Sequence, residues 1–334
     1  MSGVIQALAL LAVLLGGYGL KRAHVFGPKD YKVMEGVVFD FTLPGAIIYS
    51  FSTNEHHLDM LWLSLFGVIS SLIPLLLIFV STRHLQIRDR VFLMLNGCGM
   101  NVGNFCLPII TALLGQGASM SVIMFDIGNS LMMCAGMYAM TTSLLHIPQN
   151  GPVDLSHVGN DVAKLPYHRL TDPHARWLRR RANIRNVIRS FYTSVPFDTY
   201  VVMVALMIIG VRLPEWFANF FGPISNANGF CSMLMVGMLM DLPASAADIK
   251  SVFSVIGWKL LFGILLGVAA WYILPFEPLV RKAVVLVCLA PTAVFSTLFT
   301  DRVLGNAKLA GFTLASTGIL SLILITTLNA LIPI

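Results

Sequence analysis

The stretch Val91-Phe-Leu-Met-Leu-Asn-Gly-Cys-Gly-Met-Asn-Val-Gly-Asn-Phe-Cys-Leu-Pro108-Ile-Ile-Thr-Ala-Leu-Leu-Gly115 decides how this chain is read. It is an apolar run long enough to cross a bilayer, yet it holds Asn96, Asn101, Asn104, three closely spaced glycines and a proline. Proline removes a backbone donor and clashes with the preceding turn, and glycine permits unwinding. Backbone groups freed in this way cannot face lipid, so they must line a space enclosed by protein. The N-terminus of a half-helix carries partial positive charge and binds anions. Asn101 and Asn104 would add neutral amide donors. The plainer reading is a proline kink with small residues for helix packing.

The rest of the chain supports a membrane setting. It has 334 residues, 57% of them hydrophobic and only 11% charged, where a soluble domain carries roughly 25% charged residues. The mean hydropathy is +0.80. A membrane helix needs about 20 apolar residues, so ten of them would use roughly 60% of the chain. Soluble enzymes, nucleic-acid binders and secreted disulfide proteins are poor matches. The five cysteines form no CxxC pair and all lie in apolar stretches, as free buried thiols do.

Ten apolar segments can be marked, near 4–20, 33–52, 60–81, 91–114, 119–144, 197–213, 223–240, 251–275, 283–303 and 308–331. The first lacks the basic n-region and cleavage site of a signal peptide. The sixth is the weakest, with only Thr199–Val211 free of charge, and is kept because charge alternation requires an even number. Of the 22 Lys and Arg residues, 18 fall in loops after odd segments and three, Arg212, Arg281 and Lys282, after even ones. The positive-inside rule then places the odd loops in the cytoplasm and both termini outside, in a multi-pass protein of the cell membrane.

The long loop 146–196 lies between two groups of five. It holds eight basic and three acidic residues, +5 of the net charge of +6. Its Arg-rich part, 177–189, reads as an interfacial helix on an anionic leaflet, with a regulatory or partner-binding role as the alternative. His146, His157, His168 and His174 are spaced too irregularly for a metal site. Five spans, a loop and five spans make two units, 1–145 and 197–334, that point in opposite directions, the arithmetic of an inverted repeat. The clearest echo between them is Cys106-Leu107-Pro108 against Cys288-Leu289-Ala290-Pro291.

Here a resemblance enters. Asn101 and Pro108, seven residues apart, resemble the fourth helix of the auxin efflux carrier family, the plant PIN-type carriers and their bacterial relatives. Phe39–Phe51 with Leu43-Pro44 is similar to the family's second helix, Ser225–Met240 to its seventh and Leu289–Phe295 to its ninth. The resemblance implies an all-α polytopic fold of ten transmembrane helices in two inverted five-helix repeats, with broken helices 4 and 9 crossing at mid-membrane, as in bile-acid symporters and sodium/proton antiporters. It implies a homodimeric scaffold of spans 1, 2, 6 and 7, and an elevator-like transport unit of spans 3–5 and 8–10. It further implies small organic anions, such as carboxylates, as substrates, with Asn101 on the carboxylate and Pro108 and Pro291 as crossover prolines. The chain departs from the family pattern at Cys106, where relatives often carry Gly, at Asn228, where many do, and in its Arg-rich loop.

The candidate substrate-binding residues are Asn101, Asn104, Pro108, Pro291, Thr292, Asn226 and Asn228, with an N-cap role as the plainer account of the last two. Intramembrane charges are costly and so candidates for function. Asp126, Asn129 and Asp40 are the coupling candidates, with proton or sodium as the coupling ion. A bond to broken-helix backbone is the plain alternative for Asp126, and a water-facing structural role for Asp40. Lys259 and Glu35 are read as snorkelling to the cytoplasmic interface. Gly263 and Gly267 read as a helix contact. No catalytic constellation, cofactor motif, metal-ligand spacing or nucleic-acid signature is present, so the chain reads as a carrier and not an enzyme. A cation/proton antiporter of the same fold and a non-transporting sensor are the alternatives.

Overall fold

The computed structural model describes residues 2–55, 57–145, 147, 174, 177, 181, 185, 195–240 and 246–333. Among these every element is helical. In chain order they are α1 (Ser2–Arg22), α2 (Tyr31–Thr53), α3 (Leu61–Ser81), α4a (Ile87–Gly97) and α4b (Val102–Leu114). Next comes α5 (Ser119–Leu131, continued through a π turn at Met132–Gly136 into Met137–Leu144). Then follow α6 (Val195–Ile208), α7 (Glu215–Leu239), α8 (Ala246–Ile273), α9a (Pro278–Val287), α9b (Val294–Leu304) and α10 (Ala307–Leu331).

Among the described residues, four helices are long and apolar enough to cross a bilayer: Tyr31–Thr53, Leu58–Ser81, Asp248–Ile273 and Lys308–Leu331. The pair α4a and α4b, bent by 47° at its gap, makes a fifth if counted as one span. Several boundaries differ from those read in the sequence. α6 is a 14-residue helix. α7 begins at Glu215, so Pro223 lies inside the helix and not at its start. Arg281 and Lys282, assigned above to a loop, belong to α9a. The Arg-rich helix of loop 146–196 lies outside the described residues except for His174, Trp177, Arg181 and Arg185. These are helical and exposed, with the Arg181 guanidinium 5.3 Å from the Trp177 ring.

Two packing groups stand out. In one, α7 lies on α1 and α2, and α6 lies on α2. In the other, α3 packs on α4a and α5, α8 on α4a and α9a, and α9b on α4a and α10. Within lipid, helices associate through close packing and hydrogen bonds, since no hydrophobic force favours protein over tails. Two contacts show how close the approach is. A Cβ on Gly237 of α7 would sit 2.0 Å from the Leu14 carbonyl of α1, and one on Gly128 of α5 would sit 1.8 Å from the Ser64 carbonyl of α3. Any side chain there would force the helices apart. Gly263 serves similarly, with a Cβ there 2.9 Å from the Cys288 carbonyl.

The cations have a shared use. The last carbonyls of a helix lack intrahelical donors and form its negative pole. Lys21 donates to Met240 O at the end of α7 (3.1 Å), and Arg281 to Trp271 O near the end of α8 (3.2 Å). Lys282 bonds Asn329 O and Ile332 O at the end of α10 (3.0 and 2.5 Å). Arg90, only 4% exposed, bonds Phe79 O of α3 and lies over the Phe79 ring. The ends of α3, α7, α8 and α10 are thus each closed by a basic side chain from another helix.

Candidate functional site

The gaps in α4 and α9 meet. The backbone N–H of Asn101 donates to Pro291 O at 3.0 Å, and the Thr292 hydroxyl donates to Asn96 O at 3.0 Å. The helices share an anatomy at matched positions 190 residues apart. α4a is C-capped at Cys98 and α9a at Cys288. α4b ends on Gly115 (φ 89°) and α9b on Gly305 (φ 62°), a backbone conformation that glycine adopts without steric cost. Asn101 and Pro291 are themselves such a pair. The structural register therefore matches Cys98 to Cys288, whereas the echo noted above matched Cys106 to Cys288.

The break explains itself through its donors. Three carbonyls at the end of α4a lose their helical partners, and each acquires a side-chain donor from a different helix. Asn96 O takes the Thr292 hydroxyl of α9, and Met100 O takes Asn129 Nδ2 of α5 at 2.9 Å. Gly99 O takes Lys259 Nζ of α8 at 2.7 Å. Lys259 therefore does not extend to the membrane interface as expected. Its ammonium is held at the crossing because an unpaired carbonyl waits there. Pro108 is not at the gap. It lies in α4b beyond the π turn Val102–Cys106, which a missing proline N–H favours.

Asp126 is a hub. Its carboxylate accepts from the Tyr200 hydroxyl (2.6 Å) and Asn129 Nδ2 (2.8 Å), and it lies against Gly103 of α4b. The approach to Gly103 requires glycine, since a Cβ there would lie 2.7 Å from Asp126 Oδ2. Asn129 is fully used, its carbonyl accepting from Ser71 (3.2 Å). Tyr200 escaped the sequence reading, because a lone Tyr in an apolar segment carries no signal of its partner.

Two spaces flank the crossing. A chamber of about 30 Å³ is lined by Asn101, Asn104, Asp126, Asn129, Phe39 and Phe295, among others. A cavity of about 480 Å³ is lined by Leu10, Tyr49, Pro108, Thr111, Asn226 and Asn228, among others, with no charged side chain. Between them Asn228 Nδ2 donates to Gly103 O (3.3 Å), and Thr42 donates to Asn228 Oδ1 (3.0 Å). Asn226 and Asn228 thus sit in the body of α7, and the N-cap alternative falls. On the far side of the chamber the Phe39 and Phe295 rings meet at 5.1 Å.

The structure therefore gathers Asn101, Asn104, Asp126 and Asn129 in the chamber, Pro108, Asn226 and Asn228 in the cavity, and Pro291 and Thr292 behind the crossing. Asp40 lies exposed on the π turn Val37–Thr42 and lines neither space. Two buried polar atoms of the chamber residues have no partner, Asn101 Nδ2 and Asn104 Oδ1. Among the described residues no cluster of three or more His, Cys, Asp or Glu side chains gathers around a metal-sized space.

A family model described as membrane transport protein matches residues 3–328. No individual curated protein matches the chain.

Proposed function

The chain belongs to this membrane transport family, the auxin efflux carrier or PIN-like proteins, and on that premise we propose that it is a secondary carrier of small organic anions such as carboxylates. It is a multi-pass membrane protein, in a family whose members transport and do not catalyse. The observation that carries the substrate class is Asn101 Nδ2. It is a buried donor left open where every freed carbonyl around it has found a partner. An unfilled buried donor costs about 1–3 kcal/mol, and a carboxylate oxygen would relieve that cost. α4b adds the positive pole of a half-helix beginning at Val102.

The cavity beside Pro108 and Asn228 serves as the entrance, and its uncharged lining accommodates the body of an acid. A chamber of about 30 Å³ is too small for a carboxylate with its carbon frame. Loading therefore requires the Asn228–Gly103 bond to open, with α4 and α5 sliding against α7. This motion is of the elevator kind, with α1, α2, α6 and α7 as the fixed, dimeric part. The matched anatomy of α4 and α9 supports two inverted five-helix repeats, ten spans in all, and the Lys and Arg distribution favours both termini outside the cell membrane. Asp126, bonded to α6 through Tyr200 and packed against α4 at Gly103, links the sliding parts and is the candidate for proton coupling. With one oxygen taken by Tyr200 and the other by Asn129, it is poorly suited to hold a metal cation, which favours an anion carrier over a cation antiporter.

Uptake of labelled mono- and dicarboxylates into proteoliposomes tests the reading. At least one acid accumulating with saturable kinetics supports it. Binding of an acid, seen as a thermal shift, with no flux of any acid would instead make the chain a sensor.

A further inference from the structure

The Lys259–Gly99 contact has no use in the transport step described above. Lys259 sits at the middle of α8, fourteenth of 28 residues, and its side chain reaches the crossing at Gly99 O while lining neither space. Other helix-capping cations in this molecule close complete helices near their ends. Lys259 closes a half-helix, and the pole it meets lies inside the bilayer segment. The position 190 residues earlier in α3 is Ile69, so the second crossing helix has no counterpart to it. Nearby stand two further buried oxygens without donors of their own, Asn96 Oδ1 and Ser296 Oγ, the latter 3.2 Å from where a Cβ on Gly99 would lie.

We infer that Lys259 is the resident cation of the crossing: its tethered ammonium fills the place at the carbonyl end of α4a that a solute cation would otherwise have to fill. The negative pole of α4a lies only a few residues from Asn101 and would repel an incoming carboxylate. With the Lys259 ammonium bound to Gly99 O that pole is offset from within the chain, and the site needs no metal cation to accept an anion. Lys259 is then a positioning residue that acts through the α4 backbone. This inference rests on the anion-carrier reading for its effect on transport, but not for the cation site itself.

Three variants separate the possibilities: Lys259→Ala, Lys259→Gln and Lys259→Arg. Melting temperature is read first, in propylammonium chloride against choline chloride. Lys259→Ala should be stabilised by propylammonium and not by choline, while the parent protein responds to neither. With an acid the parent protein transports, Lys259→Ala should raise KM about tenfold or more, the size expected for a lost charge-assisted bond. Propylammonium should bring it back. Lys259→Arg should keep a near-parent KM, and Lys259→Gln, which retains a donor but no charge, should resemble Lys259→Ala. If Lys259→Ala is indifferent to propylammonium, or if Lys259→Gln matches the parent in every measurement, the proposal is overturned. Should Lys259→Ala not fold, the comparison of Lys259→Gln with Lys259→Arg decides alone. A parent protein that moves no acid would sink the carrier reading, while the propylammonium response would still stand.

Discussion

The backbone N–H of Asn101 donates to the carbonyl of Pro291 across 3.0 Å, a backbone bond that joins the gap of α4 to the gap of α9. The Asn101 main chain is thus committed to structure, while Nδ2 of its side chain is open. Asn101→Ala should therefore leave the fold intact, with a melting temperature equal to the parent's or slightly higher, because an unsatisfied buried donor disappears. Asn129→Ala should behave in the opposite way. It removes the donor to Met100 O and to Asp126, and should cost about 2 kcal/mol or more, seen as a clear drop in thermal stability.

Tyr200→Phe removes the hydroxyl that donates to the Asp126 carboxylate and keeps the ring. The bond links α6 to α5, across the surface on which the parts are proposed to slide. Loss of a hydrogen bond to a charged group is worth about 1.5–3 kcal/mol, so the resting arrangement should lose stability by that order. Transport should change in maximal rate more than in KM, because Tyr200 does not line either space. A Tyr200→Phe protein with parent stability and parent rate would remove this bond from the account.

Adjacent glycines in α1 provide a sharp packing test. A Cβ on Gly17 would lie 2.6 Å from the Leu234 carbonyl, whereas one on Gly16 would meet nothing within 4 Å. Gly17→Ala should lower thermal stability and the yield of folded protein, and Gly16→Ala should leave both unchanged. Gly237→Ala, on the other side of the same contact, should repeat the Gly17→Ala result.

Orientation can be read from a reporter active only outside the cytoplasm and fused after Ile334. The distribution of Lys and Arg predicts an active fusion. A silent fusion, with an active one placed in the loop at Arg83, would invert the topology.

What could be read from the chain before folding was the break. Asn101, Gly103 and Pro108 mark a helix that cannot run straight, and Asp126 stands out because a carboxylate in an apolar run is costly. What could not be read was which groups close the break. Lys259 in an apolar helix looks like any snorkelling lysine, since spacing along α8 says nothing of the carbonyl it will meet on α4. Tyr200 fails for the same reason. The charge-free run begins at Pro223, yet the helix already runs through that proline from Glu215, since a helix end need not coincide with the edge of an apolar run. The repeat register went astray on a Cys-Leu dipeptide. The pairs Cys98 with Cys288 and Gly115 with Gly305, at one constant spacing, held the better signal, but only helix ends give those residues meaning.

The central claim is that Asn101 binds the carboxylate of a transported acid. Its most direct test compares proteoliposomes of the parent protein and of Asn101→Ala, reconstituted at equal density and with equal melting temperatures, for initial uptake of the best acid found. A lost bond to a charged group corresponds to about a ten- to hundredfold effect, so uptake at low substrate should fall by that factor. An Asn101→Ala protein that carries every acid at the parent rate would contradict the site assigned here.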